Sequence, residues 1–175
     1  MNRLLLFLIL FPTIVFSHEK NPSIFNLNLL EKNNKTKIRV VVQTNLESII
    51  SGYTHSHKSK DSKERDYYKK LKKRSNEELK EEFMKQANKF QKNVYLKSQN
   101  KRIKLKIQKL IARDKKKQKS KIIFKTPTNV YKDLIVHWPK GYGPVIIRVK
   151  KDKKLLFTQY LKNGGSSKNF IIKNE

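Results

Sequence analysis

Histidines are the side chains of this sequence with the clearest capacity for chemistry. The chain has four of them and no cysteine. His55 and His57 stand two residues apart in "THSHKS", so both imidazoles point the same way if this loop is extended. If a protease cuts after Ser17, the free amine and imidazole of His18 complete a candidate three-histidine site for Cu(II), Ni(II) or Zn(II). The competing interpretation is that these are ordinary solvated histidines, since the surrounding positive charge disfavours cation binding.

No catalytic motif stands out elsewhere. The four glutamates of residues 77–82 lie in the first turns of an expected helix, where the helix dipole accounts for them. The glycines of "NGGSS" (163–167) follow a strand and open no helix, so they do not form a phosphate-binding loop. We therefore expect a protein that is not an enzyme and has no cofactor, apart from the Cu or Ni ion of the histidine hypothesis.

The amino terminus has the pattern of a secretory signal peptide. Arg3 supplies the positive start, an apolar run of about 13 residues follows, and Val15 and Ser17 are small enough to precede a cut after Ser17. The run is shorter than the roughly 20 residues that span a bilayer, although an uncleaved anchor remains the alternative. We expect residues 1–17 to be removed and residues 18–175 to form one periplasmic domain.

The charge of the chain is strongly positive. It has 42 Lys and Arg against 14 Asp and Glu, a formal net charge of +28. Most of these cations are lysine, whereas proteins that read nucleic acids favour arginine for base edges and bidentate phosphate contacts. An exported protein also does not meet cytoplasmic DNA. We therefore expect no nucleic-acid partner, and at most a generic attraction to an anionic membrane surface or an acidic partner.

Alternating apolar residues and regularly placed turns predict a mainly β domain. "KIRVVVQTNL" (37–46) is β-branched, and later stretches recur about every 10–12 residues, which favours an antiparallel sandwich or barrel. The apolar island Ile24–Leu30 indicates an extended lead-in or a first edge strand. "IKLKIQKLI" (103–111) predicts one strand of a hairpin. Its inward residues are expected to be Ile103, Leu105 and Ile107.

Two helices are expected as an insertion at about residues 60–93. The first covers Ser62–Lys73. The second begins at Ser75, which forms a capping box with Glu78 three residues later. A stripe at helical spacing then faces the core. The stripe is Leu79, Phe83, Ala87 and Phe90. The predicted fold class is therefore α+β, mainly β: an antiparallel β-sandwich with a two-helix insertion.

A turn and a loop are the candidate partner-binding elements. Trp138 and Tyr142, in the turn "WPKGYGP", could stack on a sugar ring or a partner loop, although a buried tryptophan beside such a turn is typical of sandwiches. His137, on the opposite side of its strand from Trp138, is expected to pack across strands. The loop "RDKKKQKS" (113–120) contributes three clustered cations. These are Lys115, Lys116 and Lys117.

Four stretches together resemble a known family. They are "LESIISG", "SNEELKEEFMKQANKFQKNVYLKSQNKRIKL", "HWPKGYGPVIIRVKK" and "TQYLKNGGSSKNFII". Their order is similar to that in the extracytoplasmic domain of HupE/UreJ-like membrane proteins. In that family a tryptophan strand, a Gly-turn strand and a "YL-x-x-G-x-x-S" element close a sandwich before the membrane helices. Because the chain stops at Glu175 without such helices, the resemblance implies a free-standing form of the domain.

The function expected from these features is contact with another protein. We expect a non-catalytic periplasmic domain that is accessory to an inner-membrane, transporter-like protein. The alternative is a periplasmic transition-metal binder that uses His18, His55 and His57. Proteins of the resembled family have been linked to nickel or cobalt uptake, but that link concerns their membrane helices and transfers to no residue here.

Overall fold

Two β-sheets and a helical block form the structure, a computed structural model that describes residues 22–32, 35–53, 63–113, 119–129 and 131–172. The strands are β1 Ser23–Lys32, β2 Lys35–Thr44, β3 Tyr95–Ser98, β4 Lys101–Ile103, β5 Lys106–Ile111, β6 Ser120–Lys125, β7 Thr128–Asn129, β8 Asp133–Trp138, β9 Val145–Lys151, β10 Lys154–Leu161, β11 Gly165–Ser166 and β12 Phe170–Ile171. The helices are α1 Leu46–Ser51, α2 Lys63–Lys72, α3 Asn76–Lys85 and α4 Ala87–Asn93. A 3₁₀ turn covers Lys140–Tyr142.

The strands sort into a larger and a smaller sheet. The larger has the order β10-β9-β1-β2-β6-β5, with β7 also paired to β2. The smaller has the order β11-β8-β3-β4, with β12 also paired to β8. Along β1, β2, β6, β8 and β9, buried residues alternate with less buried ones, so each sheet turns one apolar face inward. The predicted class, α+β and mainly β, is confirmed.

The first strand lies in the middle of its sheet and not at an edge. β1 pairs antiparallel with β2 and parallel with β9, with Phe25 opposite Val42 on one side and Ile147 on the other. All three side chains are completely buried. The larger sheet is therefore mixed, whereas the sequence had suggested purely antiparallel pairing. A central position lets β1 bury Phe25, Leu27 and their neighbours, which an edge strand would leave half exposed.

The predicted strand 103–111 is divided between the two sheets. β4 pairs with β3 in the smaller sheet, and β5 pairs with β6 in the larger one. The chain crosses between the sheets at Lys104 and Leu105, where it leaves strand geometry. Ile103 and Leu105 are buried, as expected, whereas Ile107 is only partly buried. One continuous alternation in the sequence thus supplies both sheets of the sandwich.

The helical insertion contains more helices than expected. α2 and α3 agree with the prediction, and both hydrogen bonds of the Ser75–Glu78 capping box are present. The second predicted helix is interrupted at Gln86, where α4 begins. α1 was not predicted because six residues give no helical period, although Asn45 caps its start and Gly52 ends it with a positive φ.

Glu82 ties the helices of the block together. Its carboxylate accepts hydrogen bonds from Arg74 at 2.7 Å, Lys85 at 3.0 Å and the Tyr67 hydroxyl at 2.8 Å. These donors, Arg74 first, hold the pKa of Glu82 at about 2. Because Tyr67 lies on α2 and Glu82 on α3, the carboxylate fixes how the two helices pack.

Candidate functional site

The proposed metal-binding histidines cannot be located in the structure. His18, His55 and His57 all lie outside the described residues, as do the signal segment 1–17 and the cut after Ser17. Within the described ranges, no three His, Asp or Glu residues converge on a point that could hold a metal ion. The histidine site and the export signal both stay predictions. No helix in those ranges is long and apolar enough to cross a membrane.

Trp138 is a core residue and not a surface contact. It is completely buried, and its indole N–H donates to the Gly143 carbonyl oxygen at 3.0 Å. Its ring meets Phe25 and Phe90 edge-on, with centroids 6.4 and 6.2 Å apart. A side chain held in this way supports the turn that follows it, so the expected role of Trp138 in partner binding has to be given up in favour of packing.

Tyr142 is also turned toward the core. Its ring stacks on Phe90 at 5.4 Å, and burial raises the pKa of the phenol, while the nearby Asn93 side chain lowers it. The turn "WPKGYGP" is thereby fixed to α4 through an aromatic stack. It presents Lys140 and Gly141 outward, rather than the two aromatic rings that could have stacked on a partner.

The first residue of the cationic loop 113–120 has a structural role. Lys115, Lys116 and Lys117 lie outside the described residues, whereas Arg113, the first residue of the same loop, is described. The guanidinium of Arg113 donates to the Glu47 carboxylate at 2.8 Å and to the carbonyl oxygens of Leu71 and Arg74 at 2.8 and 2.6 Å. Arg113 therefore joins the end of β5 to α1 and α2, and is not a surface cation.

The outer side of the larger sheet is the most extensive candidate surface. On β9, β1, β2, β6 and β5 the residues that alternate with buried ones point away from the core, and none of them at a described position is buried. No described element therefore covers this side of the sheet, which we call the basic face. The cations on it include Arg39, Lys109, Lys121, Lys125, Arg148 and Lys150.

The charge of the basic face has one sign. No Asp or Glu stands at a described outward position of these five strands. Lys119 immediately precedes β6 and donates to the Pro22 carbonyl oxygen at 2.9 Å. Burial lowers the pKa of Lys119, and the nearby charge of Arg148 lowers it further. Positive charges at this face thus destabilise one another, and an anionic group laid against them would relieve that repulsion.

The centre of the basic face is apolar. Ile24 is in register with Ile146 across β1 and β9, and Val41 is in register with Ile123 across β2 and β6. All four side chains point outward from the sheet and are only partly exposed. With strands about 4.8 Å apart, the six strands from β10 to β5 span about 24 Å. A flat apolar centre inside a charged rim is the general anatomy of a protein–protein interface.

Sequence reasoning did not identify this face, although its signal is present. Alternation in "IRVVVQ" and "VIIRVKK" shows which residues oppose the core. The sequence pattern does not reveal the order of the strands. That order places Arg39, Lys125 and Arg148 on one surface, although they come from distant parts of the chain. Arginine and lysine at outward strand positions are individually unremarkable in so basic a protein.

Gly164 packs closely against the backbone of Trp138 and Pro139, where the turn "WPKGYGP" begins. Its φ is +71°, and a Cβ added there would lie 2.7 Å from the Trp138 carbonyl oxygen and 2.8 Å from that of Pro139. The replacement Gly164→Ala is expected to destabilise the fold by about 2 kcal/mol, since both the backbone conformation and the contact are unfavourable. Urea denaturation measures this. Gly141→Ala is the matched control, because a Cβ there has no neighbour within 4 Å; equal losses for the two variants would contradict the packing role.

Comparison of the chain with protein-family models and with curated proteins finds no match to either. The resemblance to the extracytoplasmic domain of HupE/UreJ-like proteins therefore stays a prediction that rests on the four sequence stretches.

Proposed function

We propose that this protein is a non-catalytic, exported binding domain that docks through its basic face onto an acidic surface of another protein. The observation that carries the proposal is an uncovered sheet face with cations on β9, β2, β6 and β5 and no acidic residue at its described positions. Charge complementarity of this kind directs encounter and selects the partner. An inner-membrane, transporter-like protein is the partner that the export signal and the family resemblance favour.

A protein partner fits this face better than a lipid surface. Ile24, Val41 and Ile123 are only partly exposed, and they are shorter than the lysine side chains around them, which reach farther from the sheet. Side chains that anchor a protein in a bilayer must reach past the headgroups. Recessed apolar residues can instead pack against a complementary protein surface, with the lysines and arginines pairing at its rim.

A charge-reversed variant tests the face. Arg39→Glu combined with Lys125→Glu places two acids on neighbouring strands and is expected to weaken partner binding by about tenfold or more, since it replaces attraction by repulsion. The matched control is Lys70→Glu combined with Lys89→Glu, which makes the same change in net charge at exposed positions of α2 and α4. Binding should weaken as salt rises in the native protein and depend less on salt in the first variant.

Site-specific cross-linking identifies what lies on the face. A photoreactive residue at Val41, exposed to membranes from the source cells, should link to one protein whose contact peptide is acidic, as determined by mass spectrometry. The link should disappear in the Arg39→Glu, Lys125→Glu variant and persist in the control. Links to lipid alone, binding of both variants to phosphatidylglycerol vesicles with no protein adduct, or the same adducts from position 89 as from Val41 would reject the proposal.

A further inference from the structure

A cavity lies on the smaller sheet, away from the basic face. It has a volume of about 380 Å³ and lies where the end of α4, the strands β3 and β8 and the turn after Trp138 meet. We call it the His137 pocket. Its lining includes Lys92, Asn93, Tyr95, His137, Lys140 and Gly165. Among these residues two carry positive charge, and none is acidic.

An aromatic stack holds one wall of the pocket. The His137 ring lies on the Tyr95 ring, with centroids 4.6 Å apart and planes 18° apart. The Arg102 guanidinium lies 4.2 Å from the same Tyr95 centroid. Because β3 runs between β8 and β4, His137 and Arg102 contact opposite faces of the tyrosine ring. Tyr95 therefore has no free face on which a neutral sugar could stack.

Arg102 also fixes the position of Lys92. Its guanidinium donates to the carbonyl oxygens of Gln91 and Lys92 in the last turn of α4. This contact places the backbone that carries Lys92 and Asn93 beside the stack. On the other side of the cavity, Lys140 is held by the 3₁₀ turn, which Tyr142 joins to α4 by stacking on Phe90. Cations from two anchored elements thus line one cavity.

One neutral tautomer of His137 can donate a hydrogen bond from Nε2. Its Nδ1 lies 3.0 Å from the Ser166 hydroxyl oxygen. Burial, with the charges of Lys97 and Arg102, lowers the pKa of the imidazole and so favours its neutral form. When Nδ1 accepts from the serine hydroxyl, Nε2 carries the proton and donates. No hydrogen bond from Nε2 is found among the residues that the structure describes.

We propose that the His137 pocket binds a phosphate group, with Lys92 and Lys140 supplying charge and His137 and Asn93 supplying directed hydrogen bonds. Lysine ammonium groups act as point charges toward phosphate, and an amide and an imidazole give further donors. The cavity is larger than a phosphate ion, so the group belongs to a small monoester or to a lipid headgroup. This inference does not depend on the docking role of the basic face.

Titration with glycerol 3-phosphate, followed by NMR of the imidazole, tests the pocket. Saturable binding should shift the His137 ring signals and raise the pKa of the ring, because a bound dianion favours the imidazolium. Lys92→Ala combined with Lys140→Ala should weaken this binding by about tenfold or more. The control pair Lys70→Ala and Lys101→Ala removes the same charge at exposed positions outside the pocket and should leave binding unchanged.

Vesicles distinguish the source of the phosphate group. If phosphatidic acid vesicles bind and glycerol 3-phosphate does not, and the Lys92, Lys140 variant loses that binding, the pocket takes a lipid headgroup. If neither probe moves the His137 signals, or if the control pair weakens binding as much as the pocket pair, the proposal is overturned. Loss of phosphate binding in the Arg39→Glu, Lys125→Glu variant alone would also overturn it, since the binding would then belong to the basic face.

Discussion

Replacing Arg113 by alanine is expected to lower the free energy of unfolding by about 3 kcal/mol, since removal of one partner leaves a buried charge without compensation. The Glu47 carboxylate, whose side chain is 8% exposed, receives its hydrogen bond from Arg113 Nε. The same guanidinium donates to the carbonyl oxygens of Leu71 and Lys72 at the end of α2. The Arg113 side chain is 26% exposed, so water can replace part of this contact, and the value is at the lower end of the usual range for buried pairs.

A double-mutant cycle separates the two roles of Arg113. Glu47→Gln combined with Arg113→Ala leaves no unpaired carboxylate, so its stability loss should be smaller than the sum of the two single losses. Arg113→Lys keeps the charge but replaces the planar fork by one ammonium group, and should recover only part of the stability. Urea denaturation supplies the values, with the exposed Lys70→Ala as the control.

Hydrogen exchange adds a local measurement for the same variant. The backbone amides of α2 should lose protection in Arg113→Ala before those of the central strands, since the last turn of α2 loses its donor. If Arg113→Ala unfolds at the same urea concentration as Lys70→Ala, with α2 equally protected, the connecting role assigned to Arg113 is wrong.

Replacing Phe90 by alanine is expected to cost about 3–5 kcal/mol, the usual range for removing a fully buried phenylalanine. Phe90 is 1% exposed and lies at the centre of an aromatic cluster. Its ring centroid is 5.3 Å from that of Phe83, 6.2 Å from Phe124 and 5.4 Å from Tyr142. One side chain on α4 therefore holds together the helical block, the larger sheet and the turn beside the His137 pocket.

The fluorescence of Trp138 reports the effect, because the protein has a single tryptophan. In Phe90→Ala the emission should shift to longer wavelength, since the indole loses an edge-on neighbour and the cavity admits water. Phe90→Leu keeps most of the volume and should lose less stability. Met84→Ala on α3, where the side chain is 55% exposed, is the control and should change stability by about 0.5 kcal/mol or less. Equal losses for Phe90→Ala and Met84→Ala would contradict the cluster.

The helical block shows which structural features local sequence patterns can predict. The capping box at Ser75 and the stripe through Leu79, Phe83 and Phe90 could be predicted because both signals depend on residues only a few positions apart in the chain. The interruption at Gln86 could not be predicted from the sequence, because the apolar stripe continues through it at unchanged spacing. Where a helix breaks is decided by how its two halves fit the sheets, and that is a property of the packed protein.

The candidate surfaces show a similar division. The sequence drew attention to Trp138 and Tyr142 because of their residue types. In the structure Trp138 is completely buried, and Tyr142 is partly buried and packs against the core. Its prediction that His137 packs across strands agrees with the stack on Tyr95. The basic face and the His137 pocket could not be derived, because their residues come together only when β1 inserts between β2 and β9 and when β3 pairs with β8.

By itself the sequence determined a mainly β domain, the positions of most strands and the start of the capped helix α3. These features are encoded by period, turn residues and caps, which act over a few residues. Only the tertiary structure decided that β1 is central and parallel to β9, that residues 103–111 serve two sheets, and that Arg113 joins β5 to the helices. Such pairings connect residues far apart in the chain, and their choice depends on which arrangement buries the most apolar surface with every polar group satisfied.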